Sequence, residues 1–151
     1  MTNKKLEEIL NNHLHWLKED CEGWEKMKAN LSGAELMNKF FPIACPEFGS
    51  FIGWKKCKNN LIVKLEICED AKRTSAFSRK CRCSAAKVLE IQNLDGRKAD
   101  IDFAVSSKDN SFIYKVGEVV SVSDFDEDRK NECSTGIYFF ITRQEAVDYM
   151  L

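Results

Sequence analysis

Leu61-Ile-Val-Lys-Leu-Glu-Ile67 decides the class of fold. Leu61, Val63, Leu65 and Ile67 alternate with Ile62, Lys64 and Glu66, so one face is wholly apolar and the other mixed. A period of two marks a strand lying on a core. Upstream, Lys58-Asn59-Asn60 reads as a turn, and Ser50 to Lys56 (SFIGWKK) as the strand before it. Downstream, Glu69 to Ser78 reads as polar loop and Ala85 to Gln92 as a strand. Asn93-Leu-Asp95-Gly96 is a hairpin turn, and Ala99, Ile101, Phe103 and Val105 alternate on the predicted returning strand. Two short strands, Phe112 to Tyr114 and Glu118 to Val122, flank Gly117. Asp124 to Ser134 is an acidic loop, and Ile137 to Ile141 has the composition of a buried strand. Thr142-Arg-Gln-Glu145 is a capping box. It opens a predicted final helix through Tyr149 that buries Ala146, Tyr149 and Met150.

The N-terminal third has another texture. Leu6, Ile9, Leu10, Leu14 and Leu17, with His13, fall at three-and-four spacing, which predicts an amphipathic helix of roughly four turns ending before Gly23. Ala29 to Asn38 (ANLSG-AELMN) repeats every five residues, a period that neither helix nor strand has. Two such units make about half of one coil of a pentapeptide-repeat solenoid, too little to bury a core. Ser32 and Glu35 also form a capping box, so a short helix from Gly33 to Phe41, stopped by Pro42, is the better reading. The expected fold is therefore α+β. About seven short strands form a bent, mostly antiparallel sheet, flanked by an N-terminal helical segment and a C-terminal helix. The expected division is a helical lead-in over 1–44 and an α+β domain over 45–151.

Composition narrows the function. The chain has 151 residues, a formal net charge of −1 and 31% charged residues. Near-neutrality argues against a dedicated nucleic-acid binder and against sequence-specific DNA binding. No apolar run is long enough to span a membrane, and MTNKKLEEIL is too polar for a signal peptide. A cytoplasmic location is expected. There the seven cysteines would be free thiols and not a disulfide framework.

Several constellations suggest chemistry. Cys81-x-Cys83 would place two thiols on one face of an extended segment, and with Cys133 or Cys45 could bind zinc. No second closely spaced pair accompanies it, so buried or idle thiols are favoured and no metal is expected. Asp124-x-Asp126-x-Asp128 imitates the opening of a calcium loop, but Arg129 replaces the turn glycine and Thr135 the bidentate glutamate. Lys72, Arg73, Phe77, Arg79, Lys80 and Arg82 form the densest basic stretch, with an aromatic inside it. These cations could pair with Asp124, Asp126, Glu127 and Asp128, or face an acidic partner with Phe77 stacking on a base.

Several pieces of the chain carry a resemblance: CPEFGSFIGWKK from Cys45, VKLEI from Val63, RKCR from Arg79, AKVLEI from Ala86, FDEDR from Phe125 and GIYFFITRQEA from Gly136. Together they resemble an uncharacterised bacterial and phage domain that commonly follows pentapeptide repeats. The resemblance implies no settled activity, but its distribution in phages and mobile elements implies a role toward the host. The resembling domains read C-x-x-G-[hydrophobic]-His-[aromatic], whereas Tyr138 stands here at the histidine position. Gly136-Ile-Tyr138-Phe, with Ala146 and Tyr149 on the next helix, is also similar to the strand-then-helix signature of ADP-ribosyltransferases. That likeness implies a tyrosine stacked on nicotinamide, and makes Trp54, Gly136 and Tyr138 candidate pocket residues. The first strand offers Ser50, Trp54 and Lys55, without the His or Arg that such a site needs. The alternative is that Tyr138 and Phe140 are sheet aromatics beside the core.

No nucleophile–base pair or phosphate loop stands out. The expected function is a non-catalytic module, without cofactor, binding a host protein or RNA–protein complex through Lys72, Arg73, Phe77, Arg79, Lys80 and Arg82. A phage or mobile-element inhibitor of a host defence system such as CRISPR is the concrete form. An ADP-ribosyltransferase-like NAD-binding domain and a zinc-stapled structural domain are the alternatives.

Overall fold

The alternation beginning at Leu61 builds the middle of a four-stranded sheet. The computed structural model describes residues 43–76 and 78–150, with Glu8, Asn11, Asn12, His15, Glu22 and Lys26 from the N-terminal segment. The predicted leucine stripe, the five-residue repeat with its capping box, and Phe77 lie outside the described residues. The chain divides into two compact units, Met1–Phe41 and Pro42–Leu151, and the nine described strands and the final helix belong to the second.

Strands β1 (Phe51–Lys56) and β2 (Ile62–Ile67) pair antiparallel across a single 3-10 turn, Lys58–Asn60. Asn59 and Asn60 both take positive φ there, 57° and 58°, a conformation that asparagine adopts more readily than most residues. Strand β3 is Arg73–Ser75, β4 is Cys81–Cys83 and β5 is Ala85–Gln92. Then come β6 (Phe103–Val105), β7 (Ile113–Lys115), β8 (Val119–Ser121) and β9 (Ile137–Phe139). Helix α1, Arg143–Asp148, ends the described chain. The sheets run β1-β2-β5-β8, β3-β4-β9 and β6-β7, and every pairing is antiparallel.

Two connections bend these sheets into one curved wall. Only Ser84 separates β4 from β5, so a single stretch of chain passes from one sheet to the next. Trp54 and Phe140 exchange backbone hydrogen bonds of 2.8 and 2.7 Å, which ties β1 to the end of β9. Inside lie Val63, Leu65, Ile67, Val88, Ile91, Ile137 and Phe139, all buried. Gly53 is required at the seam: a Cβ there would stand 2.7 Å from Phe139 Cδ2. A second, smaller cluster of Ile62, Phe140 and Ala146 packs with Trp54, Val147 and Tyr149 beneath α1.

The described residues hold nine strands in three sheets, where about seven in one bent sheet were expected. The two unforeseen strands, β3 and β4, lie in the basic stretch read as loop and flank. The predicted return of Ala99–Val105 along β5 is also corrected. The turn forms, with Gly96 at φ 90°, and Ala99 N–H donates to the Ile91 carbonyl at 2.8 Å. Beyond Ala99 the chain departs, because β8 occupies that edge of β5 through Ala85, Ala86 and Lys87. Phe103–Val105 pairs with β7 instead. The capping box at Thr142 forms as read: its side chain accepts from Glu145 N–H, and the Glu145 carboxylate accepts from Thr142 N–H at 3.0 Å. Met150 is exposed, contrary to expectation. Tyr149 leaves the helical conformation at ψ 120° and carries Met150 off the packed face. Among the described residues no helix is long and apolar enough to cross a membrane.

Candidate functional site

Alternation along β1 points Phe51, Gly53 and Lys55 toward the interior. An apolar residue would be ordinary at the third of these positions. Lys55 stands there with only 6% of its surface exposed. Its ammonium lies 5.6 Å from the ring centre of Tyr114 and 5.8 Å from that of Tyr138. Among the described residues no carboxylate pairs with it and no oxygen accepts a hydrogen bond from it. Burial pulls its pKa below the ordinary lysine value, and nearby Lys108 adds to the effect. Cys57 and Cys83 face it from the core side, but burial raises these thiols to about 11 and about 12, so they stay protonated and supply no anion.

Lys55 borders a cleft in two compartments. The nearer has a volume of about 330 Å³ and brings Lys55, Lys56, Lys80 and Lys108 together with Tyr138, Phe140 and Tyr149. Among the described residues no carboxylate lines it. The larger, about 600 Å³, shares Lys55, Lys108, Cys133 and Tyr138 with the first and adds Tyr114, Gly136 and two carboxylates, Asp109 and Asp124. Lys56 is engaged: its ammonium donates to the Val147 and Tyr149 carbonyls at 2.9 and 3.0 Å, closing the C-terminal end of α1. Lys80 rests 5.1 Å from the Tyr138 ring centre, its Nζ 3.6 Å from Cys133 Sγ. Tyr138 is held by donating its hydroxyl to the Ser134 carbonyl, and burial raises its pKa. The nearer compartment is thus aromatic-walled and cationic, with three ammonium groups that have no carboxylate partner among the described residues.

The basic stretch picked out in sequence is divided by the fold. Arg82 is 2% exposed. Its guanidinium donates to the carbonyls of Asp126, Thr135 and Asn131 at 2.9, 2.7 and 2.8 Å, with a longer contact of 3.3 Å to Asp128. It lies over the Phe125 ring at 5.4 Å. Arg82 therefore gathers the acidic loop by its backbone. Arg73 does the same nearby, donating to the carbonyls of Ala71, Gly49, Cys68 and Glu69. Arg79 pairs with Glu145 at 2.6 Å and Lys72 with Glu127, both at the surface. Lys80 alone of the basic residues described there reaches the cleft. Asp126 accepts from Asn131 and from Asp128 N–H. Hydrogen bonds from Ser134 and Asn131 hold its pKa at about 2.

Of the candidate pocket residues, Gly136 and Tyr138 line the larger compartment. Gly136 also serves packing: at φ 148° it brings backbone against Arg82 Cβ and Phe125, each 3.1 Å from where a Cβ would stand. Trp54 is on the opposite face of β1 from Lys55 and packs in the smaller cluster. Cys81 and Cys83 are buried. The Cys81 thiol shares a hydrogen bond with Cys45 that raises Cys81 and lowers Cys45. Among the described residues no three His, Cys, Asp or Glu side chains gather as metal ligands. Sequence reasoning missed Lys108 altogether and gave Lys55 no role in binding. The legible signal was a lysine in the inward register of an otherwise core-facing strand.

A family model matches residues 41–146, most of the chain and all of the cleft lining except Tyr149. The chain belongs to that family, a family of unknown function (DUF5758). Neither a curated protein nor a solved structure matches the chain. The DUF5758 match begins after Ala29–Asn38, so the link to pentapeptide repeats and phages rests on the sequence resemblance alone.

Proposed function

We propose that the domain is a non-catalytic binding module that grips an anionic feature of a host protein or RNA–protein complex. Its working face is the lysine-lined cleft, to which Lys80 contributes from the basic stretch. One observation carries the reading: Lys55, Lys80 and Lys108 converge on an aromatic-walled compartment that no described carboxylate lines. A buried ammonium without an anionic partner is costly to keep, and an anionic ligand would relieve that cost. Arg73 and Arg82 serve the fold and not the ligand, since their donors are engaged by backbone carbonyls. Together with the likeness to phage domains, the reading extends to an inhibitor of a host defence complex such as CRISPR, preceded by a shortened pentapeptide-repeat lead-in.

The test is capture from a host lysate by the wild-type chain and by Lys80→Glu/Lys108→Glu. Loss of the captured complex with the double variant, at unchanged thermal stability, is the expected result. Equal capture by both proteins would remove the cleft from the working face.

A further inference from the structure

We infer that the nearer compartment is a nucleotide site, in which a phosphomonoester meets Lys55, Lys80 and Lys108 and the base lies against the tyrosine walls. The inference rests on the reading of the cleft as the binding face and names its ligand. Size comes first. A volume of about 330 Å³ sits at the small end of ligand cavities, enough for one mononucleotide and too little for a folded segment. Charge comes next. Three ammonium groups face the compartment and no described carboxylate lines it; Asp109 and Asp124 stand in the adjoining compartment, which Lys55 and Lys108 also border. A single carboxylate would leave two cations facing each other, whereas a phosphomonoester carries close to two negative charges at neutral pH.

The donor type agrees. Each of the three is a lysine, a point charge on a flexible stem that suits phosphate, and no arginine fork is present to select a planar carboxylate. Lys55 fixes the position, because its stem is enclosed and its ammonium is held between the Tyr114 and Tyr138 rings. Lys80 and Lys108 can adjust. The walls supply the rest: Tyr138 and Tyr149 are only partly buried, so their rings offer stacking surface to a base. Stacking, which every base can provide, predicts tolerance toward base identity. The nucleotide could come free or as the 5′-phosphorylated end of an RNA, and the chemistry at Lys55 is the same.

The experiment is a calorimetric and thermal-shift series on the full chain with 5′-AMP, adenosine, inorganic phosphate, and a short single-stranded RNA with and without its 5′-phosphate. 5′-AMP is expected to bind and raise Tm. Adenosine and phosphate alone should each bind about 10- to 100-fold more weakly. Lys55→Met should lose AMP binding while remaining folded, and Lys108→Met should weaken it. A 5′-phosphorylated RNA that outbinds both AMP and its 5′-hydroxyl twin assigns the RNA end as source. AMP at or above that RNA assigns the free nucleotide. Inorganic phosphate binding as tightly as AMP would overturn the nucleotide assignment, as would AMP binding unaffected by Lys55→Met, or no AMP binding at millimolar concentration. If lysate capture still depends on Lys80 and Lys108 when AMP fails, the inference falls and the binding-face reading stands. If AMP binds and capture ignores the cleft, the reverse holds.

Discussion

Lys55 sets function against stability in a single side chain. Its folded pKa lies below the unfolded value because burial disfavours the ammonium, with Lys108 adding repulsion and Cys57 and Cys83 facing it as neutral thiols. The folded chain therefore binds fewer protons here than the unfolded chain does. Stability then rises with pH between the lowered folded pKa and the ordinary lysine value near 10.4. Below that window the charged form carries its full cost. Lys55→Met should thus stabilise the protein at pH 7 by about 1 kcal/mol, several degrees in Tm. The gain should shrink as pH approaches 10, and paired urea titrations at pH 7 and pH 10 read it out. A stabilising change that abolishes ligand binding is what a residue kept for function produces. Gly53 makes the opposite case. Gly53→Ala drives a methyl to within 2.7 Å of the Phe139 ring, so the denaturation midpoint should fall, at a cost of about 1–3 kcal/mol.

At the scale of elements, what the sequence disclosed depended on length. β2 and β5 have six and eight residues, long enough for a period of two to be counted, and both were read within a residue. β3 and β4 have three residues each and carry Arg73 and Arg82. Three residues hold no measurable period, and a buried arginine is rare enough that a dense basic run reads as solvent-facing. What buries Arg82 is the loop 124–135, distant in sequence, whose carbonyls converge on it. Arg82→Ala should leave those carbonyls without donors and cost about 3 kcal/mol. Faster proteolysis or amide exchange across 124–135 should accompany it. Arg82→Lys should recover little, because one ammonium cannot reach carbonyls that a planar fork spans. The helix α1 shows the contrary situation. Its start is signalled by adjacent residues, so the capping box was legible, and Thr142→Ala should cost about 1 kcal/mol, measurable as a shifted urea midpoint. The cleft was not legible as a site. It assembles Lys55 from β1, Lys80 from the approach to β4, Lys108 from the loop after β6 and Tyr138 from β9, and no spacing in one stretch encodes that meeting.

Across the whole unit, the joins between sheets decide how it unfolds. β4 passes into β5 through Ser84, and the backbone of β1 is joined to the end of β9 by the two Trp54–Phe140 hydrogen bonds. Around that seam the core is continuous, since Ile67 of β2, Gly53 of β1 and Phe139 of β9 stand in contact. A sheet opened at the seam would expose Phe139 and uncover the side chains of both neighbours, so partial opening recovers little entropy for the apolar surface it exposes. The Pro42–Leu151 unit is therefore expected to unfold in one cooperative transition. The sequence provides a convenient probe. Trp16 and Trp24 precede that unit, so a chain beginning at Pro42 keeps Trp54 as its one tryptophan, placed at the seam itself. Trp54 fluorescence and far-UV circular dichroism should then give coincident urea midpoints and equal slopes. Gly53→Ala should lower both midpoints together, whereas a Trp54 transition that ran ahead of the circular dichroism would mean that the two larger sheets separate before they melt.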